Sequence, residues 1–142
     1  MSAKASRTGI RIRGARGHPE VRVALIRFAR WLRQEYEFPI RVPVYLFPSE
    51  QIITMYGDRV SASFFAPNDR DEEPFIRIAT GDYAQLKKQR GRDNALAAFL
   101  HSFAHELVHY QQWVATSEVS ERGATRRARR IVDRYATSTH RP

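Results

Sequence analysis

A chain of 142 residues carrying a net charge of +9 is the size of one domain with a modest core. It contains no Cys, which removes disulfides, thiolate metal sites and Cys nucleophiles, and no apolar run long enough to span a bilayer. The charge is almost all arginine, with only three lysines (Lys4, Lys87 and Lys88). Such an excess draws a protein weakly toward anionic surfaces, nucleic acid included, without conferring sequence preference. The N-terminus has no apolar leader-like stretch, so a cytoplasmic location is expected.

In chain order, residues 1–17 hold Lys4, Arg7, Arg11, Arg13 and Arg16, three glycines and no acid, and read as a flexible basic arm ahead of a single domain over 18–142. His18-Pro19-Glu20 opens a helix, with Pro suited to the first turn, Glu20 to the positive end of the dipole and His18 to the cap. Val21, Leu25, Phe28 and Leu32 recur at helical spacing, and the helix should stop before Pro39. Residues 41–47 read as a strand, placed by Pro43 at an edge or irregular start. A short helical connection is expected over 49–56, then a turn at Gly57-Asp58, a second strand over 60–66 and a polar, acidic loop over 67–74. Residues 75–79 form the third strand, alternation setting Arg77 opposite Ile76 and Ile78. Asp82 is placed to cap a short helical turn, and 87–92 reads as a basic linker. The fold class is therefore α+β, with a small three-stranded sheet.

A long helix begins at Asp93 or Asn94 and runs to about Ala115. Leu96, Phe99, Leu100, Phe103, Leu107, Tyr110 and Val114 share one broad face, the core face. His101, His105, His109 and Gln112 lie on the other side, facing solvent or a cleft. His105-Glu106-Leu107-Val108-His109 places two imidazoles one helical turn apart, able to grip one metal ion, with a carboxylate beside them. This is the H-E-x-x-H pattern in which the Glu serves zinc hydrolases as general base. His101 forms a second such pair with His105 but has no carboxylate between, so it reads as a supporting residue. Trp113 reads as packing.

Ser117 or Ser120 can cap a last helix whose apolar stripe is Ala124, Ala128, Ile131, Val132 and Tyr135. Glu121 falls on that stripe at the first turn, where a carboxylate is costly unless something positive pairs with it; a metal ion would. The alternative is a Glu121 that offsets the helix dipole with its head in water. For Glu121 to reach His109, the long helix is expected to end or bend around 112–115. Glu118, Asp133 and His140 are fallback ligands. The arginines at 122, 126, 127, 129, 130 and 134 wrap the outward side as a solvated face.

Phe103-Ala104-His105-Glu106-Leu107-Val108-His109-Tyr110 resembles the active-site helix of the zincin metallopeptidases. Glu121-Arg122-Gly123-Ala124-Thr125-Arg126-Arg127-Ala128 is similar to the segment that gives some Glu-zincins their third ligand, with Thr125 where that pattern has Asp. The order helix, strands, His helix, Glu helix looks like the minimal zincin core of small bacterial and phage proteins. The resemblance implies one zinc ion per chain on His105, His109 and Glu121, a zinc-bound water, and Glu106 as the base that hydrolyses a peptide or protein substrate. A transition-state donor would come from Tyr110, Tyr135, His101 or His140. An extended substrate would pair with an edge strand, expected at 75–79. The competing expectation is a non-catalytic basic domain that binds nucleic acid or a protein partner.

Overall fold

The computed structural model describes residues 8–139. In order, the elements are β1 (Ile10–Arg13), α1 (Pro19–Glu35), β2 (Val42–Phe47), β3 (Ile52–Ile53), β4 (Arg59–Val60), β5 (Ala62–Phe65), β6 (Phe75–Ala79), α2 (Tyr83–Arg90), α3 (Arg92–Thr116) and α4 (Ala124–Thr139). The class is α+β. A four-stranded mixed sheet has the order β1-β2-β6-β5, parallel except for the antiparallel β5–β6 pair, and β3 and β4 form a separate two-stranded ladder. Among the described residues no helix is long and apolar enough to cross a membrane.

Strand alternation decides what each sheet face meets. Ile10, Val42, Val44, Leu46, Ile76 and Ile78 all point to one side and are buried. That side is covered by α1, through Val21, Leu25, Phe28 and Leu32, and by α3, through Phe99, Phe103 and Leu107. The α1–α3 contact centres on Phe28 and Phe103, whose rings meet edge to face at 5.5 Å. Truncating Phe103 there costs about 3–5 kcal/mol. Helix α4 packs on α3 with Ala124, Ala128, Ile131 and Val132, the expected stripe, and α2 packs on α3 from the other end.

Several expectations hold locally: α1 starts at Pro19, with Nδ1 of the capping His18 accepting the Glu20 N–H at 3.2 Å, and β6 spans the expected residues. The N-terminal arm does not hold as expected. Residues 1–7, with Lys4 and Arg7, lie outside the described residues, but Ile10–Arg13 is a strand paired in register with Val42–Tyr45. Ile10 is fully buried, and the Gly9 carbonyl accepts the Val42 N–H at 2.9 Å. The reason is the alternation Ile10-Arg11-Ile12-Arg13, a half-buried strand pattern overlaid by basic composition. The domain therefore begins before residue 18, and the sheet has four strands rather than three.

This extra strand moves the sheet edges. β2 becomes internal, and Pro43 is tolerated because its missing N–H faces β6 just before that ladder begins at Val44 and Ile76. β6 is internal too, so the edge strands are β1 and β5. Residues 49–56 are not helical: β3 leads into a turn whose N–H groups of Tyr56 and Asp58 donate to Thr54 Oγ1, and β4 returns from it. The expected strand over 60–66 is divided at Ser61 between β4 and β5. Most of the expected linker over 87–92 is the second half of α2, which joins α3 through Gly91 at a φ of 83°.

Candidate metal centre

Helix α3 is 25 residues long, and residues four apart on it stack on one face. The rings of His105 and His109 accordingly stand 4.8 Å apart, nearly perpendicular. His109 is buried, at 4 % exposure, while His105 opens toward the cleft. Glu121 arrives from a different segment: its Oε1 lies 2.8 Å from His105 Nε2 and its Oε2 3.1 Å from His109 Nε2. One ligand atom from each of the three residues falls within 4.8 Å of the other two, a group that can hold a metal ion. Glu118 and Asp133 do not join it, and His140 lies outside the described residues.

The way Glu121 reaches the histidines differs from expectation. Helix α3 does not stop over 112–115; it continues to Thr116 and is capped by Ser117 in the left-handed conformation. Arg70 completes that cap by donating to the Trp113 carbonyl at 3.2 Å, the Ser117 hydroxyl at 2.8 Å and the Val114 carbonyl at 3.2 Å. The chain then turns back through residues 117–123, and α4 begins only at Ala124. Glu121 is thus a loop residue with its side chain 77 % exposed, not a buried carboxylate on the apolar stripe. The return loop bridges the axial distance that a tight helical hairpin would have left open.

Gln112 holds this loop in place. Its Nε2 donates to the Ser120 carbonyl at 2.9 Å, and its Oε1 accepts the Ser120 N–H at 3.0 Å. That two-point contact fixes which end of the amide is oxygen, and the same Oε1 lies 3.0 Å from His109 Nδ1. Nδ1 must therefore carry a proton, leaving the neutral ring to present Nε2 as a lone pair. A lone pair 3.1 Å from a carboxylate oxygen is acceptor against acceptor, and the pair needs a proton or a cation between its members. Two imidazole nitrogens and a carboxylate, with an outer hydrogen bond setting the tautomer, form a donor set that could hold a metal ion. Gln112 sits on the histidine face in the sequence, but its clamp on Ser120 depends on a loop conformation that spacing does not encode.

Glu106 is the acid beside the cluster. It is buried, and it lines a cleft of about 340 Å³ together with Ser61, Ala62, His101, Ser102 and Thr125. Burial pushes its carboxyl up to about 7; His109 opposes this and the Glu121 charge adds to it. Glu121 behaves oppositely. Partial burial raises its carboxyl, but hydrogen bonding to His105 and attraction to His109 and His105 where they are protonated outweigh that and hold it below the ordinary range. Two carboxyls in one site are thereby pushed apart, one toward holding a proton near neutrality and one toward staying charged.

Of the other expected donors, His101 lines this cleft. Tyr110 does not: it is buried in the core, where its hydroxyl donates to the Ile40 carbonyl and accepts the Ile40 N–H. Tyr135 packs its ring against Phe28 and Trp31 and lines a separate groove formed by α1, α3 and α4. Trp113 is buried, donating to the Pro67 carbonyl at 3.1 Å, as its reading for packing expects. The strand edge beside the cleft is β5, whose Ala62 lines it; β6, expected in that role, is covered on both sides by β2 and β5. Arg77, on β6, donates to Ser63 on the sheet face turned away from the helices. Compared with protein-family models, curated proteins and solved structures, the chain matches none.

Proposed function

We propose that this protein is a zinc-dependent metallopeptidase on a minimal zincin-like core. The observation that carries the reading is the convergence of Glu121, from the loop before α4, on the Nε2 atoms of both histidines of α3. His105, His109 and Glu121 would hold zinc, which supplies a Lewis acid and acidifies water. Gln112 orients His109 and contacts the loop bearing Glu121, which supports the three residues acting together.

Glu106 supplies the proton chemistry. Its buried carboxyl, on the cleft wall beside the histidines, can take a proton from an attacking water and hand it to a leaving amine. His101, on the cleft wall, is the remaining described candidate to donate to an oxyanion. β5 offers an unpaired strand edge next to the cleft, suited to an extended peptide that adds as a further strand. Small side chains (Ser61, Ala62, Ser102) line this wall and leave room for a peptide backbone.

The test combines metal content with cleavage of a denatured protein substrate. Wild type purified without added metal carries about one zinc per chain and cleaves. Glu106→Gln keeps the zinc and loses about a hundredfold or more of the rate. A wild type that carries no zinc and takes up none contradicts the proposal, as does cleavage unaffected by Glu106→Gln.

A further inference from the structure

The sheet face turned away from the helices carries chemistry that the cleft does not use. Alternation places Arg13, Tyr45, Arg77 and Ser63 in one row across all four strands, through the pairs Arg13–Tyr45, Tyr45–Arg77 and Arg77–Ser63. Neighbouring strands stand about 4.8 Å apart, so the two arginine positions flank Tyr45 at a separation of about 10 Å. Tyr45 is 39 % exposed, one of the large apolar side chains the fold leaves open. The next outward residues continue the pattern. The Arg16 guanidinium lies 5.7 Å from the Phe47 ring centre, Arg77 lies 5.8 Å from that of Phe75, and Phe75 stacks on Phe65 at 4.9 Å.

Charge and cover both select the partner. Among the described residues, Arg41–Glu73 is the ion pair formed at this side of the sheet, and Arg11, Arg13, Arg16 and Arg77 have no carboxylate partner. Helices α1 and α3 pack on the opposite face. Guanidinium groups on either side of an open ring suit a ligand with a repeating anionic backbone and flat unpaired faces. Stacked, paired bases of a duplex present no such faces to a sheet. We propose that this face binds single-stranded nucleic acid, an unpaired base stacking on Tyr45 while Arg13 and Arg77 take phosphates on either side. The site is independent of the metal centre.

Fluorescence anisotropy with labelled oligothymidylate and oligouridylate tests this on the full chain at physiological salt. Binding is expected to at least one single strand and to be weaker for a duplex of matched length. Tyr45→Ala should weaken it about tenfold while Tyr45→Phe retains it. Arg13→Gln with Arg77→Gln should reduce the slope of log affinity against log salt by about 1.4, the release from two phosphates. Neutralising Arg126, Arg129 and Arg130 on α4 should change affinity less than about twofold, as charge away from the site does. The proposal is overturned if neither single strand binds, if the duplex binds as tightly, if Tyr45→Ala has no effect, or if the α4 variant matches the sheet variant.

Discussion

His109 and Glu121 meet at 3.1 Å, yet the fold holds them in opposite ways. His109 sits within a 25-residue helix, 4 % exposed, its ring packed and its Nδ1 engaged. Glu121 hangs on a loop with its side chain 77 % exposed and is positioned through Gln112 and Ser120. Helical geometry presets the first two proposed ligands at little further entropic cost, whereas the proposed third depends on a seven-residue return loop, residues 117–123. Metal affinity should therefore be limited by the loop, and protein stability by the helix.

Replacing each ligand separates these two roles. His109→Ala and Glu121→Ala should both lose metal on desalting, the largest effect expected. Measured without metal, however, His109→Ala should lower unfolding free energy by about 1–2 kcal/mol through a buried polar gap, and Glu121→Ala by about 0.5 kcal/mol or less. Equal losses in urea melts would show that the loop is as integral to the fold as the helix.

Gln112→Leu comes next, since one side chain serves both ligands. It should weaken zinc about 10–100-fold in a competitive chelator titration, as loss of an outer-sphere partner does. An affinity within twofold of wild type would remove Gln112 from the site. Arg70→Ala acts from outside it, removing its bonds to the Val114 carbonyl and the Ser117 hydroxyl while the Trp113 carbonyl keeps the Ser117 N–H. The expected cost is about 1–2 kcal/mol of stability with little change in zinc affinity; a large affinity loss would mean that the α3 cap positions Glu121 as well.

The smallest effect is a control at the far end of the molecule. The Tyr83 hydroxyl, with Arg92 and Lys87, holds the Glu20 carboxyl down to about 2 from its ordinary value of 4.5. A carboxyl depressed on folding stabilises the protein above its unfolded pKa, and that contribution disappears as pH falls through 4.5 toward 2. Thermal melts of Glu20→Gln should show a flatter acid limb than wild type in that window and no change in metal content. An identical acid limb would contradict the assignment.

The readable and unreadable parts of the sequence divide along the same line. That His105 and His109 share one helix face was legible because helical spacing is local, and α1, α4 and β6 followed from their own periodicities. Glu121 was legible as a residue but not as a geometry. The apolar stripe of α4 begins at Ala124, and extending it backward placed Glu121 on a helix that had not yet begun. What bridges the distance is the Ser117 turn, capped by Arg70 from a loop 47 residues earlier in the chain, a contact that no local pattern announces. β1 was hidden likewise, because its partner β2 lies beyond α1 and its arginines outweighed its two isoleucines. That missed strand carried a second error, since it turned β2 into an interior strand and left β5, rather than β6, as the edge beside the cleft.

The most direct test of the central claim is an anomalous difference map collected on either side of the zinc absorption edge from crystals of the purified protein. The account predicts one peak per chain, about 2.0–2.2 Å from His105 Nε2, His109 Nε2 and a Glu121 carboxylate oxygen. A peak ligated by other residues, or imidazoles hydrogen-bonded directly to Glu121 with no peak after zinc has been supplied, would contradict it.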